Sequence, residues 1–275
     1  MPELPEIETI RLRLRNGDHE SPSIVGRKIL SARLFWNRTL AYPTPDEFQN
    51  QIQGEIIQDV LRRGKFFVFP LSTKYLLIHL RMSGDLIVED DSYKVHKHHR
   101  LIFSLSDGIR FAFNNPRKFG RVWLLDDPKP ILGELGPEPL DPDFTKEDFY
   151  GRLHPRRRQL KPLLMDQHFL AGLGNIYTDE SLFRARLHPV SLASTLTRLE
   201  SENLFEAIRD VLRQGILRNG ASIDWVYRGG DFQNYFFVYR RTGEPCYRCG
   251  TPIKRIIVGQ RSTHFCPNCQ RLSRD

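Results

Sequence analysis

The spacing of hydrophobic positions changes along the chain and divides it into segments. Aliphatic residues between positions 4 and 14 recur at helical intervals, which predicts an amphipathic helix over residues 3–15. Residues 20–133 instead carry short runs dense in aromatic and aliphatic side chains, which are typical of strands. These runs are KFFVFPL, KYLLIHL, RLIFSL, IRFAFN and RVWLL. The first segment is therefore predicted to be a β-sandwich or barrel preceded by a helix.

Helical spacing returns after a connection rich in Gly, Pro and acidic residues at 133–144. A short helix is expected around Lys161, and a second is expected after the glycine-rich turn in GLGNIYTDESLF. The longest is predicted over 197–218, where Thr197 and Glu200 form a capping box and Asn219-Gly220 ends the helix. This segment is predicted to be a small helical domain.

The last thirty residues contain all four cysteines of the chain, in two Cys-x2-Cys pairs separated by sixteen residues. Two disulfides are one interpretation, but a chain without a secretion signal favours a zinc site. Four thiolates complete a tetrahedron, so the ion would be structural. Between the pairs, a basic β-hairpin is predicted to turn at Gly259-Gln260. The ligands would be Cys246, Cys249, Cys266 and Cys269.

Charge and composition narrow the class of partner. The 275 residues carry a net charge of +8 with a pI near 9.4, which favours a polyanion such as nucleic acid. The sequence shows neither an apolar run of membrane-spanning length nor the basic and apolar regions of a signal peptide. These features predict an intracellular protein that binds nucleic acid and no membrane.

The opening residues MPELPEIET allow two interpretations. Proline at the start of a helix, followed by acidic residues, is typical of helix initiation. Removal of Met1 would alternatively give Pro2 a free secondary amine, and N-terminal amines are far less basic than lysine. Such an amine can attack a sugar aldehyde carbon and form an iminium. Glu3 and Glu6 would then be its acid–base partners.

Eight motifs in order extend the second interpretation. The chain resembles the formamidopyrimidine-DNA glycosylase family, bacterial base-excision repair enzymes related to endonuclease VIII, over essentially its whole length. The motifs are PELPE, RRGKF (62–66), HLRMSG (79–84), NPRKFG (115–120), LGPEPL (135–140), LKPLLMDQ (160–167), GLGNIYTDESLF (172–183) and the terminal cysteine pattern.

The resemblance implies an α+β multidomain fold with an N-terminal helix and β-sandwich (1–133), a helix–two-turns–helix domain (134–226) and a β-hairpin zinc finger (237–275). It implies that Pro2 attacks C1′ of the damaged nucleotide. Glu3 would be the acid–base carboxylate, with Glu6 as a secondary candidate. Lys65 would serve β-elimination, and Arg261 δ-elimination and phosphate contact.

The same resemblance implies how damaged duplex DNA is held. A base must leave the stack before C1′ can be reached, and other side chains must fill the gap. Met82, Arg117 and Phe119 match the family's void-filling triad. The phosphate contacts would be His98, Arg156, Lys161 and Asn175.

The resemblance thus implies a monomeric DNA glycosylase and abasic-site lyase that removes oxidised purines, such as formamidopyrimidines and 8-oxoguanine, by β,δ-elimination. It also implies a cytoplasmic, nucleoid-associated protein of bacterial type. One structural zinc ion and no organic cofactor are expected. Three alternatives remain: preference for oxidised pyrimidines as in endonuclease VIII, a non-catalytic binder of damaged DNA, and a zinc-finger transcription factor. Three departures from the family bear on the choice of lesion. The segment from Gly220 to Val238 is short for a lesion-covering loop, Arg240 replaces a frequent glycine, and Asp179 replaces a more usual small residue.

Overall fold

A computed structural model describes residues 1–223, 227 and 229–272. These residues form two compact units. The first takes residues 1–134 and the described part of 222–230, and the second takes 135–221 and the described part of 231–275. The predicted short lesion loop lies partly outside the described residues.

The first unit contains helix α1 (Leu4–Asn16), helix α2 (Pro45–Ile52) and two sheets. The strands are β1 (Ile29–Leu34), β2 (Leu40–Tyr42), β3 (Leu61–Arg63), β4 (Phe66–Pro70), β5 (Tyr75–His79), β6 (Asp85–Asp90), β7 (His99–Leu105), β8 (Ile109–Asn114) and β9 (Arg121–Leu125). A four-stranded antiparallel sheet has the order β1-β7-β8-β6, and a five-stranded sheet has the order β2-β9-β5-β4-β3. In the second sheet only the β2–β9 pairing is parallel.

Aromatic residues from both sheets meet in one core, so the sandwich expected from the strand pattern is confirmed. The rings of Phe69 and Phe111, from different sheets, lie 5.5 Å apart. Helix α1 buries its predicted apolar face in the same core. Tyr227, far along the chain, also packs into it.

Local signals explain several of these elements. The turn at Ser106–Gly108 joins β7 to β8, and Asp107 and Gly108 both take positive φ. Helix α2 was not predicted, although TPDE carries a capping box in which Thr44 and Glu47 satisfy each other's backbone.

The second unit is helical and ends in a hairpin. Its longest helix begins after Thr197, whose capping box with Glu200 is formed as predicted, and Asn219 and Gly220 take positive φ beyond its end. The hairpin turns at Gly259-Gln260, also as predicted, with both residues at positive φ. The elements are α3 (Lys129–Leu132, at the end of the first unit), α4 (Lys146–Leu153), α5 (Leu160–Leu164), α6 (Asn175–Arg184), α7 (Arg198–Leu217), β10 (Lys254–Val258) and β11 (Arg261–Phe265). Among the described residues, no helix combines the length and apolar character needed to cross a membrane.

Candidate active site and nucleic-acid interface

Pro2 lies buried ahead of the first helix and outside it. The N-cap of α1 is Glu3, whose backbone N–H donates to Glu6 Oε2 at 2.7 Å in a capping box. Pro5 occupies the first helical turn, where a missing N–H costs nothing. Helix initiation therefore belongs to Pro5 and Glu3, and the structure gives Pro2 no part in it.

Lys65 occupies the tight turn between β3 and β4, next to Gly64 at φ 56°. Helix α1 contacts both of these strands, and Arg62 Nε donates to Glu8 on that helix at 3.0 Å. Burial would raise the pKa of Glu8, but the charges and hydrogen bonds of Arg11 and Arg62 lower it overall. The Lys65 side chain is only 4% exposed. A long cationic side chain is thus buried at a turn whose two flanking strands both contact α1.

His79, a buried residue that sequence reasoning missed, lies beside this lysine. It faces Phe66 across the β4–β5 pairing, and its Nδ1 accepts the Arg81 N–H at 3.0 Å. Burial, followed by the charges of Arg81 and Lys65, lowers the pKa of His79 to about 3. The imidazole is consequently neutral at physiological pH and adds no second positive charge next to Lys65.

The three predicted void-filling side chains are all exposed. Met82 is 39% exposed and Phe119 is 50% exposed, although an apolar residue of this size is ordinarily buried. The Arg117 guanidinium lies 5.6 Å from the Phe119 ring centroid. All three belong to the first unit, in the turns that follow β5 and β8.

Asn115, which the sequence did not single out, joins these two turns. Its Nδ2 donates to Leu80 O at 3.1 Å and its Oδ1 accepts the Gly120 N–H at 3.4 Å. A Cβ on either Gly84 or Gly120 would lie 2.9 Å from Asn115 Nδ2. Both glycines are therefore required for the close approach that fixes the Met82 turn against the Phe119 turn.

His98 is half-buried, and its backbone carbonyl accepts the N–H of Asn115 at 2.8 Å. Its Nδ1 is buried without a hydrogen-bond partner among the described residues. Burial, together with the neighbouring charges of His96, Lys97 and Arg100, lowers the pKa of His98.

In the second unit, Arg156 and Arg261 are exposed, and Asn175 begins helix α6 directly after the N-cap Gly174. That helix start was predicted from the glycine-rich turn, and helix N-termini favour phosphate. Lys161 does not fit the predicted direct phosphate contact, because its ammonium is fully buried. It donates instead to the Asp179 carboxylate and to Asn175 O.

The four cysteines form the predicted metal site. Their sulfur atoms all lie within 4.8 Å of one another, a separation that suits one tetrahedral zinc ion. Phe183 of α6 packs beside Cys246 and Cys266. The residues present therefore fit a structural zinc ion that would join the two cysteine pairs on either side of the hairpin, and Phe183 packs this site against helix α6.

Glu180 on helix α6 is a buried acid that the sequence analysis does not predict as part of a site. Its carboxylate accepts backbone N–H groups of Phe237, Val238 and Tyr239 at 2.8–3.0 Å. Burial raises the pKa of Glu180 to about 7, although these hydrogen bonds act in the opposite direction. The chain entering the finger is thus fixed to helix α6.

Three family models match the chain in the order of its domains. The "Formamidopyrimidine-DNA glycosylase N-terminal domain" matches residues 1–122, and the "Formamidopyrimidine-DNA glycosylase H2TH domain" matches residues 135–226. A "Zinc finger found in FPG and IleRS" matches residues 243–272.

Curated relatives and solved structures agree with these matches. Formamidopyrimidine-DNA glycosylase of Protochlamydia amoebophila is 42% identical over 98% of this chain and 100% of the relative. That of Chloroflexus aurantiacus is 44% identical over 98% of each chain. Lactococcus lactis Fpg in complex with abasic-site DNA has a TM-score of 0.90, with 34% identity over 98% of this chain and 99% of the other. MutM with DNA containing carbocyclic 8-oxo-G has a TM-score of 0.89, with 36% identity over 98% and 100%.

Proposed function

The chain belongs to the formamidopyrimidine-DNA glycosylase family, as a DNA glycosylase of base-excision repair, and we propose that Pro2 is the nucleophile with which it removes oxidised purines. The observation that carries this proposal is the position of Pro2. It is buried beside two carboxylates, and Pro5 already supplies the proline of the first helical turn.

The proposed reaction begins once Met1 has been removed. The Pro2 nitrogen bonds to C1′, the bond from C1′ to the base breaks, and the base leaves with that electron pair and a proton. The sugar ring then opens as its oxygen is protonated, which leaves an iminium that acts as an electron sink. Loss of a C2′ proton expels the 3′ phosphate, and a second elimination expels the 5′ phosphate.

Glu3 and Lys65 support the proton transfers in this sequence. Glu3 directly follows the nucleophile, and its backbone is fixed by the capping box with Glu6. Lys65 lies in the turn between β3 and β4, and α1 contacts both of these strands, which favours a defined position for the Lys65 ammonium. We assign ring opening to Glu3, β-elimination to Lys65 and δ-elimination to Arg261, with Glu6 positioning Glu3.

Damage recognition is proposed to use the two turns that Asn115 joins. Met82 and Phe119 are exposed apolar groups on a fixed base, as required of side chains that replace an extruded nucleotide. Arg117 would supply a donor to the opposite base. His98, Arg156, Asn175 and Arg261 would contact phosphates, and several such contacts make binding weaken steeply with salt.

The purine preference is supported by what similar proteins hold in their structures. Lactococcus lactis FPG was solved with DNA containing Fapy-dG, and MutM was solved with DNA containing carbocyclic 8-oxo-G. Both lesions derive from guanine. This favours oxidised purines over oxidised pyrimidines as the substrate class of the chain.

Borohydride trapping tests the nucleophile. The processed protein is incubated with a duplex carrying one 8-oxoguanine opposite cytosine, reduced, digested and mapped by mass spectrometry. We expect the reduced sugar on the Pro2 peptide, and no adduct from a variant that retains Met1. Pro2→Gly is the matched control, because it keeps an N-terminal amine but loses the secondary amine. An adduct on Lys65, or abasic-site cleavage at the native rate by protein that retains Met1, would refute the assignment.

A parallel measurement tests the substrate class. Single-turnover rates are compared for duplexes that carry 8-oxoguanine, a formamidopyrimidine or dihydrouracil in the same sequence. Faster release of dihydrouracil would replace the purine proposal with the pyrimidine alternative, without affecting the nucleophile.

A further inference from the structure

We propose that Asp179 is a positioning residue for the DNA backbone contacts of the second unit. It would set the arrangement of the Asn175 helix start and of the finger hairpin that carries Arg261. The inference rests on the proposed function, because it concerns how these two side chains reach phosphates.

The two oxygens of Asp179 are divided between different elements. Oδ1 accepts from the Lys161 ammonium on α5, and Oδ2 accepts the backbone N–H of His264 on β11 at 2.9 Å. The His264 ring Nδ1 lies 3.3 Å from the same Oδ2. Asp179 itself lies on α6, so one carboxylate joins three elements of the unit.

Lys161 connects Asp179 to the first residue of helix α6. Its ammonium donates to Asn175 O at 3.2 Å, which fixes the first residue of α6. Asn175 Nδ2 in turn donates to Ser262 O at 3.0 Å, and Ser262 follows the exposed Arg261. The contacts form a closed path from α5 through α6 to β11. The predicted phosphate role of Lys161 is thereby replaced by an indirect one.

Burial explains why this path has one arrangement. The Lys161 and Asp179 side chains are both 0% exposed, so neither charge can be hydrated in place of its partner. Breaking a buried ion pair by removing one member is strongly destabilising, whereas apolar replacement of both members is often neutral. The pair is therefore better explained by the geometry that it imposes than by net stabilisation.

Two double variants separate geometry from stability. Lys161→Met/Asp179→Asn removes both charges but keeps an oxygen that can accept the His264 N–H. Lys161→Met/Asp179→Leu removes the charges and that oxygen. Both are compared as full-length, zinc-loaded proteins with wild type, with Arg261→Gln as the reference for loss of one phosphate contact.

The first readout is the salt dependence of binding to a duplex with an uncleavable tetrahydrofuran abasic analogue. The slope of log Kd against log salt changes by about 0.9 for each phosphate that a Lys or Arg side chain neutralises. We expect the asparagine double variant to keep a slope close to that of wild type. The leucine double variant should lose about 0.9 from the slope, as Arg261→Gln does, because the uncharged Asn175 does not contribute to it.

The second readout is the product distribution on a true abasic duplex at saturating enzyme. The leucine double variant should give at least about fivefold less δ-elimination product, while its β-elimination rate stays within about twofold of wild type. Adding Arg261→Gln to it should cause little further loss, since interacting sites are not additive.

Equal slopes and equal product distributions in the two double variants would overturn the proposal. A parallel fall of both eliminations with melting temperature would also overturn it, because it would show a structural role alone. If the leucine variant loses zinc, Lys161→Met/Asp179→Ala makes the same comparison without added volume. Wild type that forms no Pro2 adduct would refute the proposed function, but the slope comparison would still decide the role of Asp179.

Discussion

Replacing His79 by asparagine should change how the stability of the first unit depends on pH. Asparagine Oδ1 can accept the Arg81 N–H as the imidazole Nδ1 does, so the turn after β5 keeps its hydrogen bond. The substitution removes a group that is buried, neutral and close to Lys65. Its effect should therefore appear mainly in acid.

The magnitude follows from the pKa difference between the folded and unfolded states. The pKa of His79 falls from 6.5 to about 3 on folding. Below pH 6.5, His79 therefore binds a proton in the unfolded chain but not in the folded chain. Stability then decreases as pH falls, by about 1.4 kcal/mol per unit once well below 6.5. Between pH 7.5 and 5.5 the loss due to His79 comes to about 1.4 kcal/mol.

Urea unfolding followed by tryptophan fluorescence measures this loss, because Trp36 and Trp123 both lie in the first unit. The unfolding free energy of wild type should fall between pH 7.5 and 5.5 by about 1.4 kcal/mol more than that of His79→Asn. Identical pH dependence in the two proteins would show that His79 is not held neutral and would refute the reasoning. His19→Asn, at an exposed position, serves as the control and should match wild type.

Three further predictions concern other parts of the chain. Arg240 has φ 61°, so thermal unfolding should show Arg240→Gly to be more stable than Arg240→Ala by about 1 kcal/mol; equal stability would contradict this. Phe119→Ala should leave the melting temperature unchanged because the ring is half exposed, yet slow single-turnover excision by roughly tenfold, since ring–base stacking contributes about 1–3 kcal/mol. Wild-type excision rates in that variant would remove Phe119 from the site. Chelation should release one zinc ion per chain. Amide hydrogen exchange should then become faster in residues 243–272 at chelator concentrations that leave exchange in helix α7 unchanged; unchanged exchange in 243–272 would argue against a structural ion.

Much of the fold could be predicted because its signals are local. The cysteine spacing, the Gly259-Gln260 turn and the capping box at Thr197 each depend on residues close in sequence. Helices α2 and α4 carry equally local signals, with capping boxes at Thr44 and Thr145, but each is only 8 residues long, too short for a clear hydrophobic period.

The supporting residues of the site could not be predicted in the same way. Asn115 acts in part through Leu80, 35 residues away, and Asp179 acts through Lys161 and His264, which lie 18 and 85 residues away. Periodicity contains no information on such pairs. For the same reason the resemblance assigns Lys161 to a phosphate contact, although its ammonium is buried against Asp179.

The course of the chain through the two units has a consequence for biosynthesis. The described residues within 222–230 return to the first unit, and Tyr227 packs into its core, before the chain enters the finger. A ribosome must therefore synthesise most of the helical segment before the sandwich receives all of its core residues. A fragment ending near residue 134 would lack that tyrosine, and a single proteolytic cut at 134 would leave Tyr227 on the other, covalently separate fragment. Expression of the sandwich alone thus calls for a graft of 222–230, not a simple truncation.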